Sequence, residues 1–185
     1  MNTDGRPFTW PFGPCLSPSF KGFCATAGAF FIPLSKNQKP KYMKHFTDTE
    51  LCCKCCGRLP PEAKANAKAL VDNVLDPARE LLGKPIHINS GFRCPAHNAA
   101  VGGVAKSQHT LGEAADITAG SPADNLILAR LIAKRGQYDQ MILYVTTGSM
   151  EPQFIHVSWK RNGDNRHRIL KHVIGTSGYS TVTSL

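Results

Sequence analysis

Between Glu62 and Leu82 the apolar residues Leu70, Val71, Val74, Leu75, Ala78, Leu81 and Leu82 recur at helical spacing. That spacing lines them along one face of a helix, and Gly83 is its natural stop. Pro77 breaks the run, so a kink is expected there, or a restart capped by Asp76. Ile86-His87-Ile88-Asn89 alternates as a short strand and ends in the turn residues Ser90-Gly91. A second helix is expected to take Ser121 as its cap, to carry Pro122 and Asp124 in its first turn, and to run to about Arg135 before Gly136. Tyr138 to Val145 is apolar apart from Asp139 and Gln140, and reads as a largely buried strand. A Thr-Gly-Ser-Met-Glu-Pro connection leads from it to a final strand, Phe154 to Trp159. Helices first and strands later predict an α+β fold, with helices packed on a small antiparallel sheet.

Residues 1–42 are rich in Pro, Gly, Phe and Ser and follow neither period. We read them as a poorly ordered N-terminal extension, or as sequence upstream of a start at Met43. A domain over residues 43–162 is then followed by a basic C-terminal tail, residues 163–185. The basic stretch Lys160 to Lys171, with His167 and His172, is most simply solvated surface, and it suits contact with an anionic polymer. The chain of 185 residues is 42% hydrophobic and 19% charged, which describes one folded domain with flanks and argues against wholesale disorder. Its formal net charge of +9 suits an anionic partner, but cell-wall polymer, nucleic acid and a membrane surface all qualify. No apolar run approaches the roughly 18 residues of a transmembrane helix. The segment from Gly22 to Leu34 follows Lys21 but contains Phe30-Phe31 and Pro33 and lacks a small-residue cleavage site, so it is not a convincing signal peptide.

The chemistry concentrates in two places. Ser107-Gln108-His109-Thr110-Leu111-Gly112-Glu113-Ala114-Ala115-Asp116 offers a histidine and a carboxylate, and Phe154-Ile155-His156-Val157-Ser158 a second histidine. Gly112 can take a positive φ, folding a loop into a strand so that His109 and Asp116 meet one ion. In the last strand, alternation puts Phe154, His156 and Ser158 on one face and Ile155, Val157 and Trp159 on the other. Taken alone, His156 reads first as a hydrogen-bonded core residue and Arg93 as a solvated base after a turn. Strand alternation carries Glu113 away from Asp116, toward the surface.

The order His109-x-x-Gly112-x-Ala114-x-Asp116 followed by Ile155-His156-Val157 resembles the peptidase M15 family, the zinc D-Ala-D-Ala carboxypeptidases. These include small phage L-alanyl-D-glutamate endopeptidases. The resemblance extends through Gly83-Lys84-Pro85-Ile86, Ser90-Gly91-Phe92-Arg93, Asn98-x-x-Val101-Gly102-Gly103 and Tyr138-Asp139-Gln140-Met141-Ile142, covering residues 44 to 160. It implies a hedgehog/DD-peptidase-like fold and one catalytic zinc held by His109, Asp116 and His156. It also implies that Arg93 lies beside the site and binds substrate, a role that suits a guanidinium facing a carboxylate or a polarised carbonyl. Ser107 and Gln108 are candidate substrate hydrogen-bonding partners, or simply shape the turn.

The general base is the open position. Several branches of the family carry a carboxylate three residues before the last histidine, where this chain has Gln153. Asp139 is the first candidate, with strand stabilisation as its alternative role, and Glu151 is expected to be exposed. Of the seven cysteines, four lie in Cys52-Cys53-Lys54-Cys55-Cys56. These are read as free thiols in a reducing compartment. A second, structural zinc, with Cys94 or His45, or a disulfide is the alternative, and the zinc lacks the second Cys-x-x-Cys that a zinc ribbon would need.

The expectation is a monomeric zinc metallopeptidase that cuts peptidoglycan stem peptides next to a D-amino acid. It would be cytoplasmic until released, or phage-associated, and would act on the cell wall. Two rivals are a zinc-containing cell-wall binding module without turnover, favoured by Gln153, and a basic Cys-cluster nucleic-acid binder. The core lacks the interleaved aromatic and basic residues that the second rival needs.

Overall fold

The computed structural model describes residues 43–185. The expected N-terminal extension and the leader-like segment lie outside the described residues. The order of elements is α1 (Asp48–Leu51), α2 (Pro61–Leu70), α3 (Asp76–Leu82), β1 (His87–Ser90), α4 (Pro95–Ala100), β2 (Ala114–Thr118), α5 (Pro122–Arg135), β3 (Gln140–Val145), β4 (Pro152–Ser158), β5 (Arg168–Val173) and β6 (Ser180–Thr181). The strands form one sheet in the order β1-β2-β4-β3-β5-β6. All neighbours are antiparallel except β3 and β5. The α+β class is as expected.

The long helical pattern is broken where Pro77 predicts. A π-helical turn over Val71–Leu75 joins α2 to α3, with the Asp76 N–H bonded to the Val71 carbonyl. Pro77 has no N–H for the carbonyl of Asn73, and the widened turn absorbs that break. Asp76 does not cap the restart. Its carboxylate accepts instead from the amides of Lys44, at 2.8 Å, and His45, at 3.1 Å, tying the start of the domain to α3. Ser121 caps α5 as expected, its Oγ accepting from the Asp124 amide at 3.1 Å.

The helices cover one face of the sheet. Leu70, Val71, Val74 and Leu75 meet Leu128, Ala129 and Ile132 of α5 and the sheet residues Ile117, Met141, Leu143, Ile155 and Val157 in one buried core. Apolar residues on alternate strand positions supply that core, which leaves the other face of β2, β3 and β4 for polar chemistry.

The stretch expected to be a solvated tail is part of the fold. Residues 168–173 form β5, in parallel register with β3 from Gln140↔Arg168 to Val145↔Val173. Leu170 is buried. The tail boundary at residue 163 is therefore corrected. Basic residues flank the apolar ones here and hide a strand that needs β3 to form.

Candidate functional site

The register of β2 and β4 sets Asp116 directly opposite His156, so both side chains rise from the same face of the sheet. His109 arrives from a 3₁₀ turn, Gln108–Leu111, that ends at Gly112 with φ 74°. Any Cβ there would strike the carbonyl of Ala63, so both the backbone conformation and the space demand glycine. The chain can thus turn from His109 into β2 within a few residues.

The His109 ring is oriented from behind. Its Nδ1 lies 2.8 Å from the Gly91 carbonyl, which can only accept, so Nδ1 carries the proton and the Nε2 lone pair faces the site. That Nε2 is 3.2 Å from Asp116 Oδ1 and 3.1 Å from His156 Nδ1, and His156 Nδ1 is 3.0 Å from the same Oδ1. All three residues are buried, and their ligand atoms lie within 4.8 Å of one another. A tetrahedral zinc with bonds of about 2.0–2.1 Å spaces its ligands roughly 3.3–3.4 Å apart, so these donors suit an ion of that size. Burial alone would raise the Asp116 pKa, but the bonds to His109 and His156 outweigh it and hold the carboxyl well below the usual range. Burial lowers the pKa of His156 despite the opposing pull of Asp116, favouring the neutral ring that a metal needs.

Arg93 leads into α4 from the turn after β1. Its guanidinium pairs with the second oxygen of Asp116, and its Nε donates to Ser90 Oγ at 2.8 Å. It therefore orients the carboxylate from behind while also lining the cavity beside it.

That cavity, about 740 Å³, opens over the triad. Tyr144 and Phe154, stacked with ring centroids 4.3 Å apart, form one apolar wall. Four cationic side chains, Arg93, Lys106, Lys160 and Arg166, line it against the two carboxylates Glu113 and Asp116. Ser107 and Gln108 also line it.

The expected base does not face this space. The Asp139 side chain is fully buried and accepts from Arg166 Nη2 at 2.6 Å, the Arg166 amide at 2.9 Å, and Gln108 Nε2 at 2.9 Å. Burial would raise its pKa, but Arg166 and Gln108 outweigh that and depress it far below the carboxylate range. A carboxylate so engaged is a poor proton acceptor and a good structural anchor. The assignment of Asp139 as base is corrected on that ground.

Glu113 is the carboxylate that alternation misplaced. Residue 113 precedes β2, next to Gly112, so strand parity does not extend to it, and it lines the cavity. Burial raises its pKa. Glu151 is exposed on the connection between β3 and β4. Gln153 is also exposed, and its carbonyl accepts from Asn125 Nδ2 at 3.0 Å. Arg166 and Tyr179, from the supposed tail, line the cavity too, and no local pattern marked either of them.

The family model for peptidase M15 matches residues 44–158. Over 61 residues the chain is 48% identical to the zinc D-Ala-D-Ala carboxypeptidase of Streptomyces albus G. That stretch is 32% of this chain and spans only 24% of the relative's length. The match runs from the start of the domain through the last strand of the histidine–aspartate–histidine cluster, and on that span the chain belongs to the peptidase M15 family, with the DD-peptidase/hedgehog-like fold the family implies.

Proposed function

We propose that this chain is a zinc-dependent peptidase that hydrolyses peptidoglycan stem peptides next to a D-amino acid, as a D,D-carboxypeptidase or an L-Ala-D-Glu endopeptidase. The observation that carries this reading is the convergence of His109 Nε2, Asp116 Oδ1 and His156 Nδ1 at the base of a cavity lined by cations. Zinc held by these three atoms would supply Lewis acidity, lowering the pKa of a water molecule and polarising a peptide carbonyl.

The protein's own groups do the rest. Gly91 and Arg93 hold His109 and Asp116 in place, so no ligand has to reorganise during turnover. Glu113, its pKa raised toward the working pH, takes the proton of the attacking water and returns it to the leaving amine. Arg93, Lys106 and Lys160 attract the carboxylates of a stem peptide, and the Tyr144–Phe154 wall packs against its apolar atoms.

The test is chemical. A stem pentapeptide and a muropeptide mixture are incubated with the full chain, with and without chelator, and products are identified by mass. Chelator-sensitive release of D-Ala identifies a carboxypeptidase, and cleavage after L-Ala an endopeptidase. If no chelator-sensitive product forms in either assay, the peptidase reading fails. Gln153, at a position where other branches carry a carboxylate, would then favour a zinc-containing binding module.

A further inference from the structure

The second group of metal-binding side chains lies apart from the triad. Cys53, Cys55, Cys56 and Cys94 bring their sulfurs within 4.8 Å of one another. We propose that these four thiolates hold a structural zinc ion, which clamps the loop after α1 to the turn that carries Arg93.

The geometry is that of a coordination shell. Cys55 Sγ lies 3.5 Å from Cys53 Sγ and 3.4 Å from Cys94 Sγ. Zinc–sulfur bonds of about 2.3 Å place the corners of a tetrahedron roughly 3.8 Å apart, whereas a disulfide requires about 2.05 Å. Backbone amides already point at the sulfurs, with Cys94 N 3.3 Å from Cys53 Sγ and His97 N 3.4 Å from Cys94 Sγ. Such N–H···S bonds stabilise thiolates in metal sites. The loop is closed on itself by Cys53 N to the Arg58 carbonyl at 2.9 Å and Gly57 N to the Cys53 carbonyl at 2.7 Å, which presents three sulfurs from one short segment. The His97 ring Nδ1 lies 3.6 Å from Cys53 Sγ, within hydrogen-bonding reach of that sulfur.

The location supplies the purpose. Cys53, Ala63 and Phe92 form a small buried cluster separate from the main core. So little apolar area holds a segment weakly, and a metal staple is a common remedy. The segment held this way includes Arg93, whose amide donates to the His109 carbonyl at 3.1 Å, while Phe92 N donates to the Leu51 carbonyl at 2.9 Å. The absence of a second Cys-x-x-Cys, which argued for free thiols, loses its force once the fold brings Cys94 beside Cys55.

The test uses the full chain purified under reducing conditions and loaded with zinc or cobalt. Wild type should bind about two zinc ions, and Cys55→Ser/Cys56→Ser and His156→Ala about one each. Cobalt-loaded His156→Ala should keep the strong near-ultraviolet thiolate-to-cobalt absorption, and the double serine variant should lose it while its circular dichroism stays native. A wild-type protein without thiolate–cobalt absorption overturns the proposal. So does an intact mass lighter by two hydrogen atoms with a Cys55–Cys94 linkage. Because the cobalt band reports sulfur ligation alone, a failure at the histidine site does not change this outcome.

Discussion

The guanidinium of Arg166 brackets the carboxylate of Asp139, with Nη2 2.6 Å from Oδ2 and Nε 3.0 Å from Oδ1. The pair joins the entry of β3 to the entry of β5, two strands that run parallel and so have no tight turn to hold them together. Gln108 Nε2 reaches the same carboxylate at 2.9 Å, which links this joint to the turn carrying His109.

Asp139 is buried whereas Arg166 is 40% exposed. Asp139→Ala therefore strands no buried charge but leaves the Arg166 and Gln108 donors short of a partner, and should cost about 1–3 kcal/mol of stability. The folded pKa of Asp139 lies below its unfolded value. Its contribution is therefore complete above the unfolded pKa of about 3.9 and fades as pH falls further. Urea unfolding of wild type and variant between neutral and acid pH should show the difference shrinking below about pH 4. If Asp139 were instead the base, the folded variant would lose turnover with little change in stability.

Glu113→Gln is expected to lower kcat by about 10²–10⁴-fold with zinc content unchanged. Its raised pKa moves the acid limb of the kcat profile above the ordinary glutamate value of about 4.3, with activity rising as the carboxylate loses its proton. Glu151→Gln should leave both kcat and the limb in place, because Glu151 is exposed on its connecting loop.

Arg93→Lys keeps the charge but not the planar fork that spans Asp116 and Ser90. Loss of such a supporting contact typically weakens metal affinity by about 10–100-fold. Competition with a zinc indicator measures this directly. Unchanged affinity would show that Arg93 does not orient Asp116.

Gly112→Ala combines a left-handed backbone with a collision against Ala63, and should cost more than about 2 kcal/mol. Gly136 shares the left-handed conformation at the end of α5, but a Cβ there meets open space. Gly136→Ala should therefore cost only about 1 kcal/mol. Thermal unfolding compares the two, and zinc titration shows whether only the first disturbs His109.

What the amino-acid order determined was local. The period of apolar residues placed α2 and α3, Ser121, Pro122 and Gly136 bounded α5, and alternation put His156 opposite the core face. The His109–Gly112–Asp116 spacing was legible because a single left-handed glycine and a short strand bring the side chains together within a few residues. The tertiary structure alone decided the remainder. Asp139 and Arg166 are 27 positions apart, and Cys53 and Cys94 41 apart, so only the packed sheet and the docking of the end of α1 on the turn after β1 make them neighbours. β5 looked like a charged tail because its stability comes from hydrogen bonds to β3, which no pattern within its own six residues records. Glu113 was misplaced for a related reason. Alternation governs residues inside a ladder, and the turn at Gly112 sets the direction of the side chain just before it.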